Sequence, residues 1–208
     1  MPDPDEPFRV ADAAGKMRLR YVVLTSVTRD DLEDGGAGHF AATVSELKKA
    51  IPAISVEVLT PDFRGSLSAL STIAESGPHV FNHNLETVER LFSKLRPVAS
   101  YSQSLAILRE FGRIRSDIPL KSGIMVGLGE SPGDVKKTME DLRDSGVKLL
   151  TVGQYLQPTS AHIPPHRFVT PEEFAEYAET AKKMGFSAVA SGPMVRSSYH
   201  ADLLQENQ

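Results

Sequence analysis

The chain contains no cysteine among its 208 residues. That excludes disulfides, a cysteine nucleophile and any thiolate metal site built by this chain alone. Basic charge is not in excess either. The formal net charge of −4 gives no electrostatic footprint for nucleic acid. No stretch approaches the ~18 consecutive apolar residues of a membrane span. The opening MPDPDEPFRVADAAGKM is acidic and proline-rich, with neither the basic n-region nor the apolar h-region of a secretory signal. No membrane partner is therefore expected, and the expected location is cytoplasmic. Low-complexity tracts, close repeats, a Ser-His-Asp order and an H-E-x-x-H pattern are all missing. The remaining composition, 40% hydrophobic and 24% charged, is that of a globular protein. The length suits one domain spanning 1–208.

Short apolar runs alternate with amphipathic stretches. Strands are expected at 20–26 (RYVVLTS), 55–61 (SVEVLTP), 79–84 (HVFNHN), 122–129 (SGIMVGLG), 148–156 (KLLTVGQYL) and 186–191 (FSAVAS). Between them, Phe40, Val44, Leu47 and Ile51 share one helical face, and Gly77 ends a second helix. Ser131-Pro132 marks a helix start, with Val135, Met139 and Leu142 on one face. Thr170 and Glu173 form a capping box ahead of Phe174, Tyr177, Ala181 and Met184. This alternation implies a parallel sheet flanked by helices. A barrel or partial barrel is the first reading and an open doubly wound sheet the second.

Polar residues collect just after the strands, where parallel α/β folds bind ligands. In TRDDLEDGGAGHF, Asp34 precedes Gly35 and Gly36, and the acidic loop suits an amine or ribose hydroxyls; the alternative is a loop that caps the next helix. In FNHNLET, Asn82, His83, Asn84 and Glu86 crowd one strand end, and buried amides there need protein partners or a ligand. Gly127, Gly129 and Glu130 in GLGE form half of a dinucleotide fingerprint, a weak signal. Close approach to a flat ligand such as adenine, or a tight turn, accounts for them. In GQYLQP, Gln154, Tyr155 and Leu156 offer a strand end to a purine edge, or a turn set by Pro158. His39, His79, His162 and His166 lack metal-ligand spacing. Lys121 is the candidate Schiff-base lysine for a cluster-free aldolase-type enzyme, but it opens its strand, where a solvated flank is expected.

Taken in order, these strings resemble the lipoyl synthases of the radical S-adenosylmethionine (SAM) superfamily. The matching segments are TSVTRDDLEDGGAGHF, EVLTPDFRG, FNHNLETVERL, LRPVASYSQSL, KSGIMVGLGE, GQYLQPT, VTPEEF and ASGPMVRSSYHA, and the last is the most specific. The resemblance implies a six-stranded partial (β/α)6 TIM-like barrel of the radical SAM type. It implies SAM and two [4Fe–4S] clusters, one cleaving SAM reductively and an auxiliary one giving up sulfur. The product is a lipoyl group made from an octanoyl chain on a carrier lysine. Expected partners are octanoylated lipoyl carrier domains, on 2-oxoacid dehydrogenase E2 subunits and the glycine cleavage H protein, and an electron donor. Carried over residue by residue, Asp34, Gly35 and Gly36 match the loop around the SAM amino group. Asn84 and Glu86 match a strand end facing SAM. Gly127, Gly129, Glu130, Gln154, Tyr155 and Leu156 match its ribose and adenine surroundings. Ser197, with Ser198 as the alternative, matches an auxiliary-cluster ligand, and Arg196 lies beside it. Residues 192–208 are expected to close that cluster site.

One departure from the family is large. Its SAM cluster is held by a C-x3-C-x2-C motif and its auxiliary cluster by three further cysteines. Neither set is here, and Fe–S clusters need thiolates. Residues 1–7 resemble the stretch that follows the first of these motifs, so the family's first strand is expected to be missing. Two expectations remain open: Met1 is an internal methionine of a full enzyme, or the short chain is catalytically inert. An inert chain would bind SAM or the carrier domain, or need a cysteine-bearing partner.

Overall fold

A computed structural model describes residues 2–206. Met1 and the last two residues of the expected 192–208 closing segment lie outside the described residues. Six parallel strands follow in chain order, β1 (Tyr21–Thr25), β2 (Ser55–Leu59), β3 (Val80–Asn82), β4 (Leu120–Val126), β5 (Val147–Gln154) and β6 (Ala188–Gly192). The helices are α1 (Glu6–Lys16), α2 (Ala37–Ala50), α3 (Leu67–Ser76), α4 (Glu89–Leu95), α5 (Tyr101–Ile114), α6 (Pro132–Asp144), α7 (Pro171–Lys183) and α8 (Ala201–Glu206). This is the element sequence of a (β/α)6 partial barrel. The expected β3, β4 and β5 boundaries shift by two residues or fewer at most ends, because strand ends give way to turns that no periodicity marks.

The chain divides into two compact units. The first runs to Asn82 and includes Arg109–Pro119. Here β1 pairs with β2 from Tyr21↔Ser55 to Thr25↔Leu59, and β2 with β3 from Glu57↔Val80 to Leu59↔Asn82. Phe40, Val44 and Leu47 of α2 are buried, as are Leu70 and Ile73 of α3. Phe81 and Phe111 stack with ring centroids 3.8 Å apart and planes 8° from parallel. Helix α3 ends at Gly77, whose φ of 64° is the left-handed C-cap that glycine adopts without strain. Helix α1 buries only Pro7, Ala11 and Ala14 against α2. No large apolar residue marks that face, so the sequence period passed over it.

The second unit holds His83–Leu108 and the chain from Leu120 onward. Strand β4 pairs with β5 from Leu120↔Val147 to Val126↔Gln154, and β5 with β6 from Leu149↔Ala188 to Gly153↔Gly192. Both β4 and β5 are buried on both faces, which is why they read as continuous apolar runs. Capping boxes at Ser131/Asp134 and Thr170/Glu173 start α6 and α7. Val135, Met139 and Leu142 pack inward from α6, and Phe174, Tyr177 and Ala181 from α7. The backbone at 83–86 runs beside β4, with His83 N–H donating to Lys121 O and Glu86 N–H to Gly123 O.

Candidate functional site

In the first unit the acidic loop leads from β1 into α2. Asp34 Oδ1 accepts from the Gly36 N–H (2.9 Å) and Oδ2 from the Gly38 N–H (2.8 Å), which caps the helix N-terminus. The Gly38 and Gly36 amides hold this carboxyl below its ordinary range. Gly35 and Gly36 take φ of 61° and 89°, and a Cβ on Gly35 would lie 3.0 Å from the Phe63 ring. Glycine is thus required at both. Beside them lies a cavity of about 310 Å³, walled by Leu24, Val27, Arg29, Gly36, His39 and Phe40 among others. Its polar edge is already paired. Arg29 grips Asp31 through Nε (2.7 Å) and Nη2 (2.6 Å), and His39 Nε2 lies 2.7 Å from Glu6 Oε2. Of the three carried-over residues, Gly36 alone borders this cavity; Asp34 gives both oxygens to the helix.

In the second unit, the GLGE turn and the Gln154 strand end form one loop base. Glu130 accepts from the Gly127 N–H (2.6 Å) and Leu128 N–H (2.8 Å). Gln154 donates to Tyr155 O (3.0 Å) and Arg167 O (3.1 Å), and accepts from the Val169 N–H (2.9 Å). Tyr155 donates its hydroxyl to Ile163 O at 2.8 Å. The His166 and Arg167 N–H groups both reach Gly127 O. Gly127 has φ of 95°, and an added Cβ would meet Arg167 O at 2.6 Å and collide with the Gln154 amide. Its openness is used by the chain's own loop 155–169. His166 packs over Gly129. The loop ends where Arg167 grips Glu173 through two 2.7 Å contacts. That fork, then the Thr170 N–H, brings the Glu173 carboxyl down to about 2. Leu156 is 43% exposed and the one carried-over residue of this group that faces solvent.

The C-terminal segment lies across β4 and β5. A small pocket of about 80 Å³ is lined by Asn84, Glu86, Gly123, Gly153, Arg196 and Ser197, among others. Asn84 Nδ2 donates to Ser197 Oγ (2.7 Å), and Ser197 Oγ donates to Asn84 Oδ1 (2.9 Å). Lys121 Nζ donates to Ser197 O at 2.7 Å. Lys121 is 0% exposed. The expected solvated flank is therefore corrected: the β4 register buries this cation, and a buried ammonium needs acceptors. Ser198 and Arg196 are exposed. Glu86 has φ of 70°, and its carboxyl is pushed up by desolvation, against the pull of Arg96 and a hydrogen bond with Asn84. Two more residues were passed over in the sequence. Gly123 and Gly153 stand inside β4 and β5, where strand-interior glycine signals close backbone approach. A Cβ on Gly153 would strike Val195 O, and one on Gly123 would come within 2.9 Å of Asn84 Oδ1.

The sequence model of the Radical SAM superfamily matches residues 1–142. The chain belongs to the radical SAM superfamily. It is 56% identical over 203 residues to a lipoyl synthase of Histophilus somni, across 97% of this chain and 63% of that protein. A lipoyl synthase of Haemophilus influenzae is 53% identical with the same coverage. The radical SAM chain thus spans about 63% of the length of the curated relatives it matches. Among solved structures, Streptococcus suis SuiB aligns with a TM-score of 0.68 at 11% identity, over 96% of this chain and 46% of that one. Methylornithine synthase aligns at 0.57 and 15%, over 74% of this chain and 44% of that one. At such identities these two show the fold alone.

The superfamily's clusters do not fit this chain's residues. It has no cysteine, and among the described residues no three His, Asp or Glu side chains gather into a metal-binding group. Among the described residues, no helix is long and apolar enough to cross a membrane.

Proposed function

We propose that this chain forms the SAM-facing and C-terminal portion of a lipoyl synthase. That enzyme inserts two sulfurs into an octanoyl-lysine on lipoyl carrier domains, those of 2-oxoacid dehydrogenase E2 subunits and the glycine cleavage H protein. It works in the cytoplasm with an electron donor. The observation that carries this reading is the 53–56% identity maintained over 97% of the chain, which includes the R-S-S-Y-H-A run. The cofactors supply the hydrogen abstraction and the sulfurs, and this chain's residues bind, orient and exclude water. Cluster thiolates come from polypeptide outside these 208 residues. Gly35, Gly36 and the adjoining cavity receive the methionyl end of SAM. Carried over from the family, Asn84 and Glu86 belong to a strand end that faces SAM, and Gly127 to Glu130 with Gln154 to Leu156 belong to segments around a ribose and adenine. One hydroxyl of the Arg196–Ser197–Ser198 run meets the auxiliary cluster. Ser198 suits that role better than Ser197, because the residue is exposed whereas the Ser197 hydroxyl is spent on Asn84.

A second reading rests on the absence of cysteine: a catalytically inert chain that binds SAM or the carrier domain. One preparation separates the two. The native protein is isolated anaerobically from its own cells, its intact mass measured, and octanoylated carrier domain added with SAM and reductant. A mass well above 22.7 kDa with lipoylated product supports the synthase. A mass of 22.7 kDa, no product and retained SAM or carrier binding supports the inert reading. Absence of both product and binding refutes both.

A further inference from the structure

Three large apolar side chains stay exposed around the C-terminal end of β5, and each is fastened to it. Leu156 follows the strand by two residues. Phe168, 70% exposed, sits between Arg167 and Val169, and the Gln154 amide holds the carbonyl of the first and the N–H of the second. Met194, 71% exposed, precedes Val195, whose carbonyl lies where a Gly153 side chain would be. Strand pairing sets Gly153 beside Gly192, so Met194 leaves β6 at the level where Leu156 leaves β5. Single exposed apolar residues are ordinary. These three share one strand end and are held still there. Tyr155 donates to Ile163 O and Gln157 to His162 O, and Pro158, Pro164 and Pro165 stiffen the same loop. A surface that is already rigid loses little conformational entropy on binding.

Charge is distributed to match. Residues 145–171 and 180–201 contain no Asp or Glu, in a chain with 27, and they carry five Lys or Arg. Arg167 and Arg196 are the two of these on the rim. Arg167 grips Glu173, while Arg196 is exposed, with Nη1 on the Val195 carbonyl. Aromatic, Met and Arg side chains are the types enriched at protein interfaces.

We infer that this rim, with Leu156, Phe168, Met194 and Arg196, is a docking surface for a folded protein domain that meets it with apolar and carboxylate side chains. The identity of that domain rests on the synthase reading: it is the carrier that presents the acylated lysine, and its docking face is acidic.

The probe is octanoylated glycine cleavage H protein, titrated calorimetrically into this chain. Phe168→Ser and Met194→Ser are each expected to weaken binding about tenfold, the effect of truncating an interface anchor. Both side chains are exposed, so neither change disturbs the core. Val98→Ser, on a still more exposed residue between α4 and α5, is the control and should bind as the parent does. Parent binding should weaken about threefold as salt rises from ~50 to ~250 mM. In the cysteine-bearing enzyme the two variants should raise KM for the octanoylated domain about tenfold. They should leave turnover of a short octanoyl-lysine peptide unchanged, because the peptide does not need the surface. No binding by the parent, parent-like binding by either variant, or an equal loss in Val98→Ser overturns the inference. So does binding that this chain shows and the longer enzyme lacks, which would give the surface to that enzyme's own additional polypeptide. Salt-insensitive binding overturns the acidic docking face. An enzyme that lipoylates neither domain nor peptide refutes the synthase reading, and the titrations still decide the surface.

Discussion

Gly127→Ala tests whether the GLGE turn exists to seat the chain's own loop. At φ of 95° an L-residue is strained, by roughly 1–2 kcal/mol in the left-handed region. The added methyl would also sit 2.6 Å from Arg167 O and against the Gln154 amide. Forcing a methylene into such a packed place costs about 1–3 kcal/mol. The loop has an escape: it can lift away, giving up the His166 and Arg167 bonds to Gly127 O and the Gln154 contacts. The cheaper route sets the cost, so the expected loss is about 2–4 kcal/mol in urea unfolding. Amide exchange across 160–169 should rise far more than in β4. Gly133→Ala is the control. Its new methyl meets only Ser131 Oγ, at an ordinary 3.7 Å, at the start of α6, so a change within about 0.5 kcal/mol or a small gain is expected. A Gly127→Ala protein as stable as the parent, with its 160–169 amides equally protected, would refute the reasoning and return Gly127 to ligand contact alone.

Phe111→Ala should cost about 3–5 kcal/mol by calorimetry or urea, because both rings of the Phe81 stack are fully buried; a loss under 1 kcal/mol would contradict that packing. Asp34→Ala removes both acceptors from the start of α2 and should cost about 1 kcal/mol at neutral pH. Its carboxyl titrates below the ordinary 3.8 in the folded state, so the stabilisation is present above that value. It fades as pH falls through the lowered one, and the gap between parent and variant should close in acid. Glu86 behaves oppositely. Its folded-state value is raised above the ordinary 4.5, so the folded chain holds the proton more tightly. Ionisation then destabilises as pH rises through and beyond 4.5. Glu86→Gln should gain stability over the parent with rising pH, and a pH-independent difference would count against the desolvated carboxyl.

Much of the second unit was legible in advance. Ser131 and Thr170 announce their helices through caps that act within three residues, and the apolar faces of α6 and α7 repeat every turn. The runs IMV and LLTV mark strands buried on both sides. In the first unit, α1 hid because alanine and proline give its packed face no hydrophobic signal. Lys121 misled for another reason. A lysine at a strand start is ordinarily solvated, and only the β4 register buries it.

The site divides along the same line. Its residues were visible as polar groups after strands, and their order carried the family. Their partners were not visible. Gln154 and Glu130 read as ligand-facing, yet the hydrogen bonds of Gln154 close on loop 155–169 and those of Glu130 on its own turn at Gly127 and Leu128. Asn84 and Ser197 meet across 113 positions and Lys121 and Ser197 across 76. Periodicity, caps and turn chemistry are short-range effects written in neighbouring residues, so the chain order alone decides strand, helix and superfamily. Which polar group is spent on the protein and which stays open is set by burial and by contacts between distant segments, and those come into being only when the chain folds.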